Sequence, residues 1–205
     1  MATSTGITVS FGNTPQAGDD CFSAGLTEDS TGAVLLDVMA NDLGGKAKIL
    51  WSLDDGSENE GSATSADLLT RDVVGADNFS KFGALIEITA DGKVAYSMTD
   101  ASRDYFQSLG AGEVGYDTFT YAIRLANGTL SWATATVQIN GTNDVATFTS
   151  ASDHAVTEAG GVGNAIPGDP HASGVVTVHD VDAGQAVFAA PTLASLAGTY
   201  GDFTF

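Results

Sequence analysis

Residues Thr118 to Ser131 read Thr-Phe-Thr-Tyr-Ala-Ile-Arg-Leu-Ala-Asn-Gly-Thr-Leu-Ser. Apolar and polar side chains alternate up to Asn127-Gly128, a dipeptide that reaches positive φ at little cost and so makes tight hairpin turns. Alternation with period two buries one face of a strand and wets the other. A second stretch, Ile86-Glu-Ile-Thr-Ala-Asp-Gly-Lys-Val-Ala-Tyr-Ser97, repeats the pattern around Asp91-Gly92. Both hairpins place the chain among all-β proteins.

Working outward, segments rich in Val, Ile, Thr, Phe and Tyr recur between turn residues. They are Thr5–Phe11, Ala33–Val38, Lys48–Leu53, Leu85–Thr89, Lys93–Met98, Asp117–Leu125 and Leu130–Asn140. After a break come Ala146–Ser150, Gly174–His179, Ala186–Phe188 and Tyr200–Phe205. Short strands between turn signals are the pattern of a β protein. Only Asp100–Gly110 reads as a helix, with capping residues at its start and Gly110 as its stop. At roughly two turns it connects strands rather than forming a layer. The sequence therefore predicts an antiparallel β-sandwich.

Two regions echo each other. Leu26-Thr-Glu-Asp-Ser-Thr-Gly leads into a β run and Asn41-Asp42, while Val156-Thr-Glu-Ala-Gly leads to Gly174-Val-Val-Thr-Val-His-Asp-Val-Asp-Ala-Gly. Glu28 and Glu158 are 130 residues apart, a spacing that suits a domain repeat rather than a solenoid unit. The expected organisation is an N-terminal strand or linker over 1–15, a complete domain over 16–142, and a second, truncated copy over 143–205.

The charge narrows the function. The 205-residue chain has 26 Asp+Glu against 7 Lys+Arg, a formal net charge of −19. Too few cations are present to displace counterions from nucleic acid or to hold an anionic bilayer face. No apolar run approaches the length of a membrane-spanning helix. Hydrophobic content of 43% is too rich for a disordered acidic tail. A single cysteine, Cys21, makes no internal disulfide. The N-terminal residues carry neither a basic nor an apolar segment of a Sec signal.

Of the 26 acids, 20 are Asp. Asp suits turns and supplies short oxygen ligands for hard cations such as Ca²⁺. Asn143-Asp144, Glu158 and the Asp180/Asp182 pair are expected to converge on such an ion at one end of the second copy. On an extended segment, Asp180 and Asp182 would face the same side. In the first copy the corresponding set is Asp19, Asp20, Glu28, Asp29, Asn41, Asp42 and Asp117. The alternative is a solvated acidic surface. An enzymatic reading finds little support: no Gly-x-Ser-x-Gly is present. No Glu pair with aromatic platforms suggests glycoside hydrolysis. Trp51 and Trp132 lie inside β patterns, where core packing is the expected role.

Three elements carry a family resemblance: Asp117-Thr-Phe-Thr-Tyr121, Asn140-Gly-Thr-Asn-Asp144 and Asp180-Val-Asp-Ala-Gly184. Together they resemble the VCBS-type repeats of giant bacterial RTX adhesins. Leu36-Asp-Val-Met-Ala-Asn-Asp42 is similar to the related cadherin-like version. The resemblance extends over most of the chain from about Ala17. It implies a cadherin-like, immunoglobulin-like sandwich serving as a tandem extender on the cell surface, with Ca²⁺ at domain ends and linkers. It also implies type I secretion, neighbouring repeat domains of the same chain as partners, and an adhesion ligand of unknown identity. Two other functions stay open: a self-assembling filament or surface-layer subunit, and a module that binds carbohydrate or another cell-surface ligand. In the filament, Gly6-Ile-Thr-Val-Ser-Phe11 would complement a sheet edge of a neighbouring molecule.

Overall fold

A computed structural model describes residues 16–55, 68–150, 156–169 and 173–197. The expected strands Thr5–Phe11 and Tyr200–Phe205 lie outside the described residues. The chain forms two compact units, one of Met1–Phe106 with Ala111–Thr142, the other of Gln107–Gly110 with Asn143–Phe205. Among the described residues no helix is long and apolar enough to cross a membrane.

The first unit is built from β1 (Asp20–Thr27), β2 (Val34–Leu36), β3 (Ile49–Asp54), β4 (Asn78–Phe79), β5 (Leu85–Ile88), β6 (Val94–Ser97), β7 (Val114–Arg124) and β8 (Leu130–Asn140). Four of them form a sheet in the order β1-β8-β7-β3, and the other four a sheet in the order β2-β6-β5-β4. All pairings are antiparallel except β1 with β8, which run parallel.

Both hairpins form where the alternation places them. Gly92 (φ 79°) and Gly128 (φ 88°) take the left-handed turn positions that an L side chain adopts only with strain. Leu125 N donates to Thr129 O at 2.9 Å, closing the β7–β8 turn. The alternation then sends Phe119, Tyr121 and Ile123 of β7 inward, beside Ala133, Ala135, Val137 and Ile139 of β8. Ile86, Ile88, Val94, Tyr96 and Leu36 fill the core from the second sheet. Fully burying a side chain of this size contributes about 1.5–3 kcal/mol, which makes the core the main source of stability.

α1 (Asp100–Phe106) is shorter than expected, ending before Gly110. Thr99 and Ser102 cap its start reciprocally: Ser102 N donates to Thr99 Oγ1 at 3.3 Å and Thr99 N to Ser102 Oγ at 2.9 Å. Phe106 anchors the helix in the core, while Tyr105 stacks on Phe82 with ring centres 3.8 Å apart.

The second unit contains β9 (Thr147–Ser150), antiparallel to β10 (Val176–His179), and a short α2 (Leu193–Leu196). Residues Ala186–Phe188, expected as a strand, carry none. None of the described buried hydrophobic side chains belongs to this unit.

Candidate metal centres

Three buried side-chain oxygens lack a hydrogen-bond partner among the described residues: Asp42 Oδ2, Glu28 Oε2 and Asp182 Oδ1. All three belong to carboxylates that the sequence nominates as cation ligands. Burying an ionised oxygen without a donor or counter-ion costs several kcal/mol. Each therefore marks a place to test for a cation.

The first group lies where β1 begins. Asp42 is buried, and its Oδ1 accepts from Gly18 N at 2.8 Å. Asp20 Oδ2 and Gly18 O each lie 2.9 Å from the Tyr121 hydroxyl, and Asp42 Oδ1 lies 3.1 Å from it. A phenol has one proton to donate. Three acceptors around it leave an excess of lone pairs, which suits a cation. Asn41 Nδ2 ties the loop to this end by donating to Gly18 O (3.2 Å) and Asp19 O (2.9 Å). Asp19 is exposed, with Oδ1 accepting from Thr134 N at 2.9 Å. Lys48 Nζ donates to Met39 O at 2.6 Å and also to Asp42 O, holding the turn that presents Asp42.

Electrostatics reflect this crowding. Desolvation pushes the Asp20 carboxyl up to about 6, opposed by the Tyr121 hydrogen bond and reinforced by Asp42, Asp19 and Asp37. Burial first, then the hydrogen bond and charge of Asp20, raise the Tyr121 hydroxyl well above the ordinary phenol range.

The second group closes β1 against the end of β8. Glu28 is fully buried, and its Oε1 accepts from both Thr142 N and Thr142 Oγ1 at 2.7 Å. Asp29 Oδ2 lies 3.1 Å from the same hydroxyl. The third group belongs to the second unit. Asp182 is buried, and its Oδ2 accepts from Asp144 N at 3.0 Å. Gln107 Nε2 donates to Asp144 Oδ2 at 2.7 Å, and Asn143 Nδ2 to Asp144 O at 2.6 Å.

Some nominated residues take other places. Asp180 does not extend beside Asp182. Its Oδ1 accepts from Asp182 N at 2.9 Å, an Asx turn that aims Asp182 inward. Glu158 is exposed, outside all three groups. Asp117 is fully buried in the core of the first unit. It accepts from Tyr96 Oη (2.7 Å), Phe82 N (3.2 Å), Thr118 N (2.7 Å) and Ser80 Oγ, so protein donors occupy both its oxygens. Tyr121 and Thr142 were not nominated. The available signal was a Tyr inside an apolar alternation, because a buried phenol needs a polar partner.

Among the described residues, no three His, Cys, Asp or Glu side chains gather as a ready-made metal site. A calcium ion at any of these groups would draw much of its six- to eight-oxygen shell from carbonyls, hydroxyls and water. The Asp20/Asp42 group fits that requirement best, offering two carboxylates, a phenol and the Gly18 carbonyl within a few ångströms. No protein-family model matches the chain, and no curated protein matches it either.

Proposed function

We propose that this chain is a calcium-stabilised structural extender module of a secreted bacterial cell-surface adhesin. The observation that carries the reading is the orphaned oxygen on each of Asp42, Glu28 and Asp182, buried where the sequence nominates cation ligands. Without metal, each of these carboxylates keeps one buried oxygen without a donor. Ca²⁺ bound by Asp20 and Asp42, by Glu28 and Asp29, or by Asp182 and Asp144 would offset that charge and stiffen the ends of the module. Extracellular modules bind Ca²⁺ at about 10⁻⁴–10⁻³ M, and 100-fold saturation stabilises the bound form by about 2.7 kcal/mol per site.

Strand order supports an immunoglobulin-like, cadherin-like sandwich for the first unit. The β8-β7-β3 sheet corresponds to the G-F-C arrangement, and β2-β6-β5 to B-E-D of that fold. The resemblance of Asp117–Tyr121, Asn140–Asp144 and Asp180–Gly184 to VCBS-type repeats points the same way. The test is a calorimetric Ca²⁺ titration, joined to melting curves and X-ray scattering in calcium and in EDTA. The reading expects saturable binding, a higher melting temperature and a stiffer particle with calcium. Identical curves in both conditions and no heat of binding overturn it.

A further inference from the structure

Arg124 and Trp132 stand on the outward face of β7 and β8; Trp51 of β3 lies beneath Arg124, and Arg71 reaches the same ring from the segment between β3 and β4. Arg124 Cζ stands 4.8 Å from the Trp51 ring centre, and Arg71 Cζ stands 5.6 Å from it. Trp51 Nε1 donates to Leu69 O at 3.2 Å, which fixes the plane of the indole. The pairing register is irregular between Leu50 and Ser52, and such bulges re-aim a side chain. Ala122 pairs with Trp132 on one side and with Ser52 on the other. Ala122 points outward by alternation yet is fully buried. Trp132 is 53% exposed, which overturns the expected core role.

The charge state of this face is unusual for the molecule. Against 26 acids there are 7 Lys and Arg, so guanidinium groups have many carboxylates to choose from. Yet the one ion pair among the described residues is Arg103 with Asp100 at 3.7 Å. Arg71 and Arg124 instead place their guanidinium carbons over the Trp51 ring. A guanidinium held over a ring face still has N–H donors that match a carboxylate bidentately.

We infer that this face binds an acidic oligosaccharide of the uronate type. The exposed Trp132 ring would stack on the C–H face of a pyranose, while Arg124 and Arg71 take the sugar carboxylate. Edge C–H groups carry positive charge and ring faces negative charge, so the stack is electrostatically matched. Thr120 and Thr134, paired in the next row, continue the face with hydroxyls for neighbouring sugar units. The net charge of −19 does not forbid this contact. At physiological salt, exposed charges beyond about 8 Å are screened. A sugar chain fits better than an acidic protein strand. β7 and β8 are interior strands whose backbones are paired on both sides, so this part of the face recognises through side chains.

The inference does not depend on the calcium reading. The test uses the full chain and follows fluorescence from Trp51 and Trp132, the only tryptophans. Hyaluronan hexasaccharide, neutral maltohexaose and poly-glutamate are titrated, in calcium and in EDTA. Saturable binding of hyaluronan alone is expected. Trp132→Ala and Arg124→Gln should each weaken it at least about tenfold, the factor that 1.4 kcal/mol represents, with unchanged melting. If Arg124→Gln melts early, the exposed Arg71→Gln replaces it. No saturable hyaluronan binding, equal binding of maltohexaose, or wild-type affinity in the variants overturns the inference. Binding of poly-glutamate as tight as that of hyaluronan also overturns it, in favour of an acidic protein partner.

Discussion

Asp20 Oδ2 lies 2.9 Å from the Tyr121 hydroxyl, a contact between residues 101 positions apart in the chain. The same hydroxyl faces Gly18 O and Asp42 Oδ1, so its single proton serves three acceptors. A proton on Asp20 or a cation among the oxygens resolves the shortage. The two solutions respond oppositely to pH.

Without calcium, the Asp20 carboxyl sits at about 6 against an ordinary 3.8 because burial disfavours its charged form. A raised carboxyl favours the fold when protonated. Its contribution is fully present below about 3.8 and is lost as pH rises through about 6. In EDTA, the wild type should therefore gain stability on going from pH 7 to pH 4 relative to Asp20→Asn. The gain should be on the order of 1 kcal/mol after allowing for solvent screening of a half-exposed group. Urea melts of both proteins across that range check it, and parallel pH profiles would exclude the assignment.

Asp42→Asn should change sign with calcium. Asn keeps an oxygen for Gly18 N and removes a charge beside Asp20, so the metal-free protein should gain about 1 kcal/mol. The stabilisation by calcium at this group should vanish, lowering the calcium-bound melting temperature by several degrees. Scanning fluorimetry in calcium and in EDTA measures both, and an undiminished calcium shift would move the ion elsewhere.

Asp117→Ala should destabilise the first unit by about 3–5 kcal/mol, because it strands buried donors from Ser80, Phe82, Tyr96 and Thr118. The loss should be the same with and without calcium. Chemical denaturation in the two conditions reads it, and a calcium-dependent loss would make Asp117 a ligand after all.

Gly168→Ala should disrupt the second unit selectively. An added Cβ would collide with Thr157 O and approach Ala159 N and Glu158 C at 2.5 and 2.6 Å, all backbone atoms that cannot swing aside. The Thr157–Asp169 bridge should open while the core of the first unit stays protected. Hydrogen exchange at Thr157 and Asp169 compared with Phe119 and Ile123 decides it. Unchanged protection at Thr157 would refute the expectation.

The two long hairpins were legible because alternation and an Asp-Gly or Asn-Gly turn are local signals. β1 was not. The register slips between Phe22 and Leu26, with Gly25 at φ 70° inside the strand, which erases the alternation. Ala186–Phe188 has strand-like residues, yet its backbone forms no strand. Trp132 looked internal because it lies inside a β pattern, and only the register on β7 shows that it faces outward.

The acid composition and its placement at turns were enough to nominate Asp42, Glu28 and Asp182. What each carboxylate does was decided in three dimensions. Asp117 and Asp42 are both buried, yet one is satisfied by four protein donors and the other is left with an orphaned oxygen. Sequence neighbours set turns and alternation, which act over a few residues. The donors that satisfy or abandon a carboxylate arrive from strands tens of residues away, and only the packed core brings them there.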